Sequence, residues 1–269
     1  MYHDVVSPGA EDSSGFPGPD AALYKITAEL FESHLSAITR SRSAQRDLPH
    51  PRDLPAPLDL PDPPDLVLTF DDGGIGAMRA ADSLERHGFI GHFFVTANYI
   101  GTPGFLATRD IRELRARGHV IGSHSCSHPL RMGHCSRRQL LDEWTRSRVI
   151  VSELSGEDVR VASVPGGDFT APVAEAAVEA GFTRLFTSEP TRTVRKLFGL
   201  TLLGRFTIYR STSASAAAAL AAGASYACAR QALVWSAKKL LKRVGGEHYL
   251  KLRNLLLGHE AAVRWGDMP

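Results

Sequence analysis

Cysteine is scarce: Cys126, Cys135 and Cys228 are the only three in 269 residues. An odd, sparse set of this kind excludes a disulfide framework. Long hydrophobic runs are missing too, and no stretch approaches the roughly 20 apolar residues of a membrane-spanning helix. The opening residues, MYHDVVSPG, carry neither a basic region nor an apolar one, so no secretory signal is read there and a cytoplasmic location is the expectation. Net charge is low, at +2, which gives no reason to expect nucleic acid as a partner. No GxGxxG or P-loop stands at a strand end, so nucleotide binding has no support. What remains is 43% hydrophobic and 22% charged, the balance of a globular domain large enough to bury a sizeable core.

Along the chain, AELFESHLSAI (Ala28 to Ile38) places Leu30, Phe31, Leu35 and Ile38 on a helical stripe. Seven prolines between Pro49 and Pro64 exclude helix or central strand there and read as a linker or a long loop. From Asp65 short apolar runs alternate with helical patterns. DLVLTF, FIGHFFV, HVIGSH, VRVASV, TRLFTS and LLGRFTIYR read as strands. Between them lie helices over Ala77 to His87, a segment that Thr108 caps, a segment from the Ser136–Gln139 capping box through Leu154, and one opened by Pro172. Strand–helix alternation of this length predicts an α/β fold with a parallel sheet, either a barrel or a doubly wound sheet.

In such folds chemistry gathers at the C-terminal ends of strands. LVLTF runs into Asp71-Asp72-Gly73-Gly74, which alone is also a plain polar turn. HVIGS runs into His124-Ser125-Cys126-Ser127-His128, whose two histidines alone are equally core or surface residues. If the two stretches end adjacent strands, two imidazoles and one carboxylate make a catalytic zinc site with an open position. The second carboxylate is then free to serve as general base. A closed structural zinc site needs four ligands, and Cys126 and Cys135 stand nine apart with no second pair. They read as packing residues, and His134 as solvated.

TFDDG followed about fifty residues later by HSxxH resembles the first two motifs of the polysaccharide deacetylase (NodB-homology) family, over roughly residues 1–210. The resemblance implies a distorted (β/α)7 barrel of the NodB-homology type. It further implies metal-assisted hydrolysis of N-acetyl groups, usually on N-acetylglucosamine-containing polymers, with a glycan as the partner. By it Asp71 is the general base, and Asp72, His124 and His128 hold a divalent metal, expected to be Zn2+. Related alternatives are an amidohydrolase or de-N-formylase acting on a small or lipid-linked sugar, and a catalytically silent glycan-binding module.

The chain departs from that pattern in two places. VASVPGGDF stands where the family carries Arg-Pro-Pro-Tyr/Phe-Gly, so Ser163 replaces an arginine and Gly166 is expected to present its N–H to the oxyanion. Arg205 is the candidate substitute for the arginine, with a solvated strand residue as the plain alternative. The family's last motif, which supplies the general acid, is absent after residue 200. MYHDV resembles permuted members in which that strand comes first, and makes His3 the candidate acid, with Asp4 fixing its ring; a surface histidine on a frayed end is the alternative. Residues 211–269 read as a helical extension. Lys238, Lys239, Lys242 and Arg243 beside Trp235, Leu240 and Leu241 suggest either peripheral contact with an anionic membrane or an outer helix packed on the barrel.

Overall fold

The computed structural model describes residues 1–46 and 66–237. The Pro-rich run at 49–64 and the basic cluster at 238–243 lie outside the described residues. In chain order the elements are β1 (Asp4–Val6), α1 (Pro19–Ala22), β2 (Lys25–Thr27), α2 (Ala28–Arg46), β3 (Leu68–Phe70), α3 (Gly76–Arg86), β4 (Gly91–Val95) and α4 (Thr108–Ala116). They continue with β5 (Val120–Ser123), α5 (Arg137–Ser155), β6 (Val161–Ser163), α6 (Ala171–Glu179), β7 (Arg184–Phe186), β8 (Arg195–Leu197), β9 (Leu200–Leu203) and α7 (Ala214–Ala221).

The sheet runs in the order β3-β4-β5-β6-β7-β9-β8 and is parallel except for β8, which pairs antiparallel with β9. The β8–β9 hairpin departs from the strand–helix alternation. Its tip is Phe198-Gly199, both at positive φ (53° and 84°), so a hairpin turn stands in a stretch too short for an alternation signal. LLGRFTIYR is strand only through Leu203; Arg205 lies just past the strand end.

The amino end closes the curl. Tyr2 bridges Phe70, donating its N–H to Thr69 O at 2.7 Å and accepting from Asp71 N–H at 3.1 Å. On its other side Met1 O accepts the Ile208 N–H at 2.9 Å. Residues 1–2 therefore lie between β3 and the segment that follows β9, which gives the distorted barrel expected. The reason is apolar. Tyr2 stacks on Phe70 at 5.4 Å and meets Phe31 edge-on at 5.1 Å, and all three rings are buried. Phe31, Leu35 and Ile38 of α2 form the stripe beneath them.

Helix ends follow the local chemistry. Ser136 and Gln139 make the reciprocal capping box, with Ser136 N–H reaching Gln139 Oε1 at 2.9 Å. Thr108, by contrast, is the first helical residue rather than the cap. The cap position is Ala107, whose N–H is taken by Asp110 Oδ2 at 2.8 Å. Beyond Arg210, α7 packs on α2, and Gln231 clasps both backbone groups of Thr207 at 2.8 Å. No described helix is long and apolar enough to cross a membrane.

Candidate metal centre and catalytic dyad

Asp71 and Asp72 leave β3, His124 leaves β5, and His128 lies in the loop that follows. The two stretches do not end adjacent strands: β4 stands between them, and the side chains meet across its end. The backbone is bent to make them meet. Asp72 (φ 75°), Ser125 (φ 65°) and His128 (φ 57°) are three of only four described non-glycine residues at positive φ. Such conformations cost free energy and persist only where the surroundings over-determine them. Here the Glu143 carboxylate of α5 accepts the N–H groups of Cys126 and Ser127, each at 2.9 Å, and the Ser127 hydroxyl at 2.6 Å. Ser125 Oγ takes the His128 N–H at 3.2 Å.

Asp72 Oδ1 lies 3.4 Å from Nε2 of His124 and 3.4 Å from Nε2 of His128. Two donors about 2.1 Å from one ion in tetrahedral array stand about 3.4 Å apart. Among the described residues Asp72 Oδ1 is also buried without a well-formed hydrogen bond, which fits an oxygen that serves as a metal ligand. Burial alone would raise the Asp72 carboxyl, but His124 and His128 hold it well below its ordinary 3.8. His124 Nδ1 is engaged by Ser163, at 2.6 Å from Oγ and 3.1 Å from the carbonyl oxygen, so Nε2 is the atom left for a metal. Three ligand atoms within 4.8 Å of one another thus fit a divalent ion with an open position.

Asp71 is 3% exposed and is held differently. Arg205 donates to it bidentately, Nη1 to Oδ1 at 2.6 Å and Nη2 to Oδ2 at 2.8 Å. The guanidinium is itself buried and bonds Thr187 O and Thr69 Oγ1 as well. Burial pushes the Asp71 pKa up, yet Arg205 and then His124 outweigh it and leave the carboxyl below its ordinary value. Ser163 Oγ donates to Asp71 Oδ1 at 3.2 Å, so one hydroxyl links the carboxylate to the metal-side imidazole. Asp71 Oδ2 accepts from Arg205 and lies 4.0 Å from His124 Nε2, on the side of the ligand atoms.

His3 stands beside this group. The charges of Asp72, Asp71, His124 and Arg205 all act on it, its Nδ1 is buried without a partner among the described residues, and its ring packs on Tyr24 at 4.5 Å. Burial lowers its pKa from 6.5, against the two aspartates. Asp4 does not fix the ring, contrary to expectation. On a strand successive side chains point to opposite faces, and the Asp4 carboxylate turns away to accept Val5 N–H at 2.9 Å and to lie against Gly74 and Gly76. Gly166 (φ 60°) sits in the Pro165–Gly167 turn, where a Cβ would stand 2.6 Å from Leu130 O. Cys126 is fully buried with its thiol pushed up to about 12, as a packing residue's would be. His134 is exposed, as expected of a solvated residue, and accepts from Arg131 at 2.6 Å on the surface.

Sequence reading did not single out Glu143 or Phe16, whose ring lies 4.8 Å from that of His128. Neither belongs to a short motif: Glu143 reaches back from the following helix, and Phe16 comes from a segment remote in sequence.

Residues 60–185 match the family model described as Polysaccharide deacetylase. A 126-residue stretch is 31% identical to an uncharacterized 30.6 kDa protein of Geobacillus stearothermophilus. It is 25% identical to YxkH of Bacillus subtilis, which carries the provisional name polysaccharide deacetylase. Each alignment covers 46% of this chain and 46% and 45% of those proteins, so the chain matches about half the length of these curated relatives. Among solved structures, the Streptococcus pyogenes deacetylase PplD in complex with acetate superposes with a TM-score of 0.59 at 17% identity, over 80% of this chain and 92% of that one. A polysaccharide deacetylase from Bacillus cereus gives 0.62 at 16%, over 82% and 67%. IcaB from Ammonifex degensii gives 0.59 at 21%, over 77% and 94%. These superpositions establish the fold. Asp71, Asp72, His124, His128 and Ser163 fall inside the matched segment; His3 and Arg205 fall outside it. Residues 60–185, just under half of the chain, are thus similar in sequence to the polysaccharide deacetylase family.

Proposed function

We propose that this protein is a metal-dependent hydrolase that removes N-acetyl groups from N-acetylhexosamine units of a glycan, with Zn2+ as the metal. The observation that carries this reading is the pairing of an orphaned, metal-shaped ligand set with a second buried aspartate clamped by a guanidinium. Asp72, His124 and His128 would hold the ion, which when bound supplies Lewis acidity toward the amide carbonyl and acidifies water.

The rest is done by side chains. Asp71 is ionised at neutral pH because Arg205 and His124 oppose the effect of burial, so it can take a proton through Oδ2, which keeps a free lone pair. Arg205 fixes the plane of that carboxylate. His3 is the group positioned to hand a proton to the leaving amine. The Gly166 N–H is assigned to the developing oxyanion. A silent binding module would be favoured by the loss of the third-motif arginine, but Arg205 brings a guanidinium to Asp71 from elsewhere in the chain.

The test is acetate release from N-acetylglucosamine oligomers, with formyl and acetyl substrates compared side by side. The expected result is chelator-sensitive release of acetate that returns on adding Zn2+. Preference for formyl groups would reassign the acyl specificity, and no release of either acid would end the proposal. The clamp carries its own prediction. Without the guanidinium, burial dominates and the Asp71 pKa rises, so Arg205→Met should move the acid limb of kcat/KM to higher pH by about 1–3 units. The zinc content should remain that of the wild type. An unmoved limb would show that Arg205 does not set the charge state of Asp71.

A further inference from the structure

Gly73 has two reasons to be glycine: its φ is +83°, and a Cβ would stand 2.9 Å from Val95 Cγ1. Gly74 and Gly76, in the same turn, carry no left-handed φ, so their backbone would accept an ordinary residue. Space is what forbids one. A Cβ on Gly74 would lie 2.3 Å from Asp4 Oδ2 and 2.9 Å from Gly15 N, and one on Gly76 would lie 2.1 Å from Asp4 Oδ1 and 2.4 Å from Val5 O. Across from them Gly15 faces the same carboxylate, with its Cβ position 3.2 Å from Oδ2.

Asp4 is 3% exposed. It therefore fills a slot between the turn that follows Asp72 and the loop between β1 and α1. The walls of the slot are tied to one another, and Ser14 on one of them also hydrogen-bonds the Asp4 carboxylate. Gly15 N–H and Ile75 N–H both reach Gly104 O, at 2.8 and 2.9 Å, Leu106 N–H reaches Gly73 O at 2.9 Å, and Gly76 N–H reaches Ser14 Oγ at 2.8 Å. Lys25, the register partner of Asp4 on β2, donates its ammonium to the carbonyls of Glu11, Ser14 and Phe16, and Phe16 packs on His128.

We propose that Asp4 is a positioning residue for the metal site: a buried wedge against Gly74 and Gly76 that sets the turn presenting Asp72. This deepens the metal-dependent reading given above and rests on it. Shape, together with the bond from Val5 N–H, is the operative property, so asparagine should serve where alanine fails.

The experiment is a double-mutant cycle on the full chain, read in two ways. In metal-free protein, Gly74→Ala should lower Tm by about 5 °C in the wild-type background, the scale of an overpacked methyl. In the Asp4→Ala background the same change should cost clearly less, because the carboxylate contact is gone and only the Gly15 backbone N, 2.9 Å from the Cβ position, still has to give. In metal binding followed by chelator competition, Asp4→Ala should weaken Zn2+ affinity about 10-fold, the low end for residues that orient ligands. Asp4→Asn should restore affinity to within about threefold of wild type. Equal Tm losses from Gly74→Ala in both backgrounds would overturn the wedge. Wild-type Zn2+ affinity in Asp4→Ala, or no rescue by asparagine, would overturn its role in placing Asp72. A wild-type chain that takes up no Zn2+ would overturn the metal reading instead, and the metal-free cycle would still decide for or against the wedge.

Discussion

Asp71→Asn is expected to lose about 10²–10⁴-fold in kcat while retaining its Zn2+, the usual worth of a positioned general base. The substitution preserves volume and keeps an oxygen for Arg205 or Ser163, so folding should survive. It removes the negative charge that Arg205 meets with two bonds at 2.6 and 2.8 Å. A buried guanidinium left facing an amide is a real cost, so some loss of stability will accompany the loss of rate. The discriminating reading is metal content. The atoms within metal-ligand spacing of both imidazoles belong to Asp72, and Asp71 Oδ2 stands 4.0 Å from His124 Nε2. Loss of Zn2+ in Asp71→Asn would mean that the two aspartates exchange or share their roles.

His3→Ala is expected to lose most of kcat, about 10²-fold or more, and with it the alkaline limb of the pH–rate profile. Burial lowers the His3 pKa from 6.5, against Asp72 and Asp71. A group with a depressed basic pKa gives up its proton earlier as pH rises, so the wild-type limb should lie on the acid side of 6.5. A frayed terminus would be a poor place for a catalyst, but this strand is not frayed. Tyr2 and Val5 are buried, and backbone bonds tie residues 1–2 to β3 on one side and to Ile208 on the other. Those bonds do not depend on the imidazole, so the mutant should keep its fold and its metal. A mutant with wild-type kcat and an intact alkaline limb would remove His3 from the mechanism.

Which parts of this were legible in the sequence follows from sequence distance. Asp71-Asp72 and His124-x-x-x-His128 sit within short motifs that follow apolar runs, and strand ends are where such residues act. The capping box of α5 was readable because its two partners are three residues apart. The clamp on Asp71 was legible only through the family resemblance, which made Arg205 the candidate substitute for the missing arginine; 134 residues away, it otherwise looks like any charged residue after a strand. The proposed wedge could not be read: Gly74 and Gly76 pass for ordinary turn glycines until Asp4, remote in sequence, is seen against them. The assumption that β3 and β5 adjoin failed because the strand run FIGHFFV inserts between them in space as it does in sequence. The Asp4–His3 pairing failed for a simpler reason, the alternation of side chains along a strand.

The proposed chemistry stands or falls with Asp72, His124 and His128 forming one metal site. Zinc content of the purified full chain, measured beside His124→Ala and His128→Ala after identical loading and desalting, tests it most directly. The account predicts about one Zn2+ per wild-type chain and a large loss in both variants, each of which removes one ligand from a three-ligand set. Equal stoichiometry in all three proteins would contradict it.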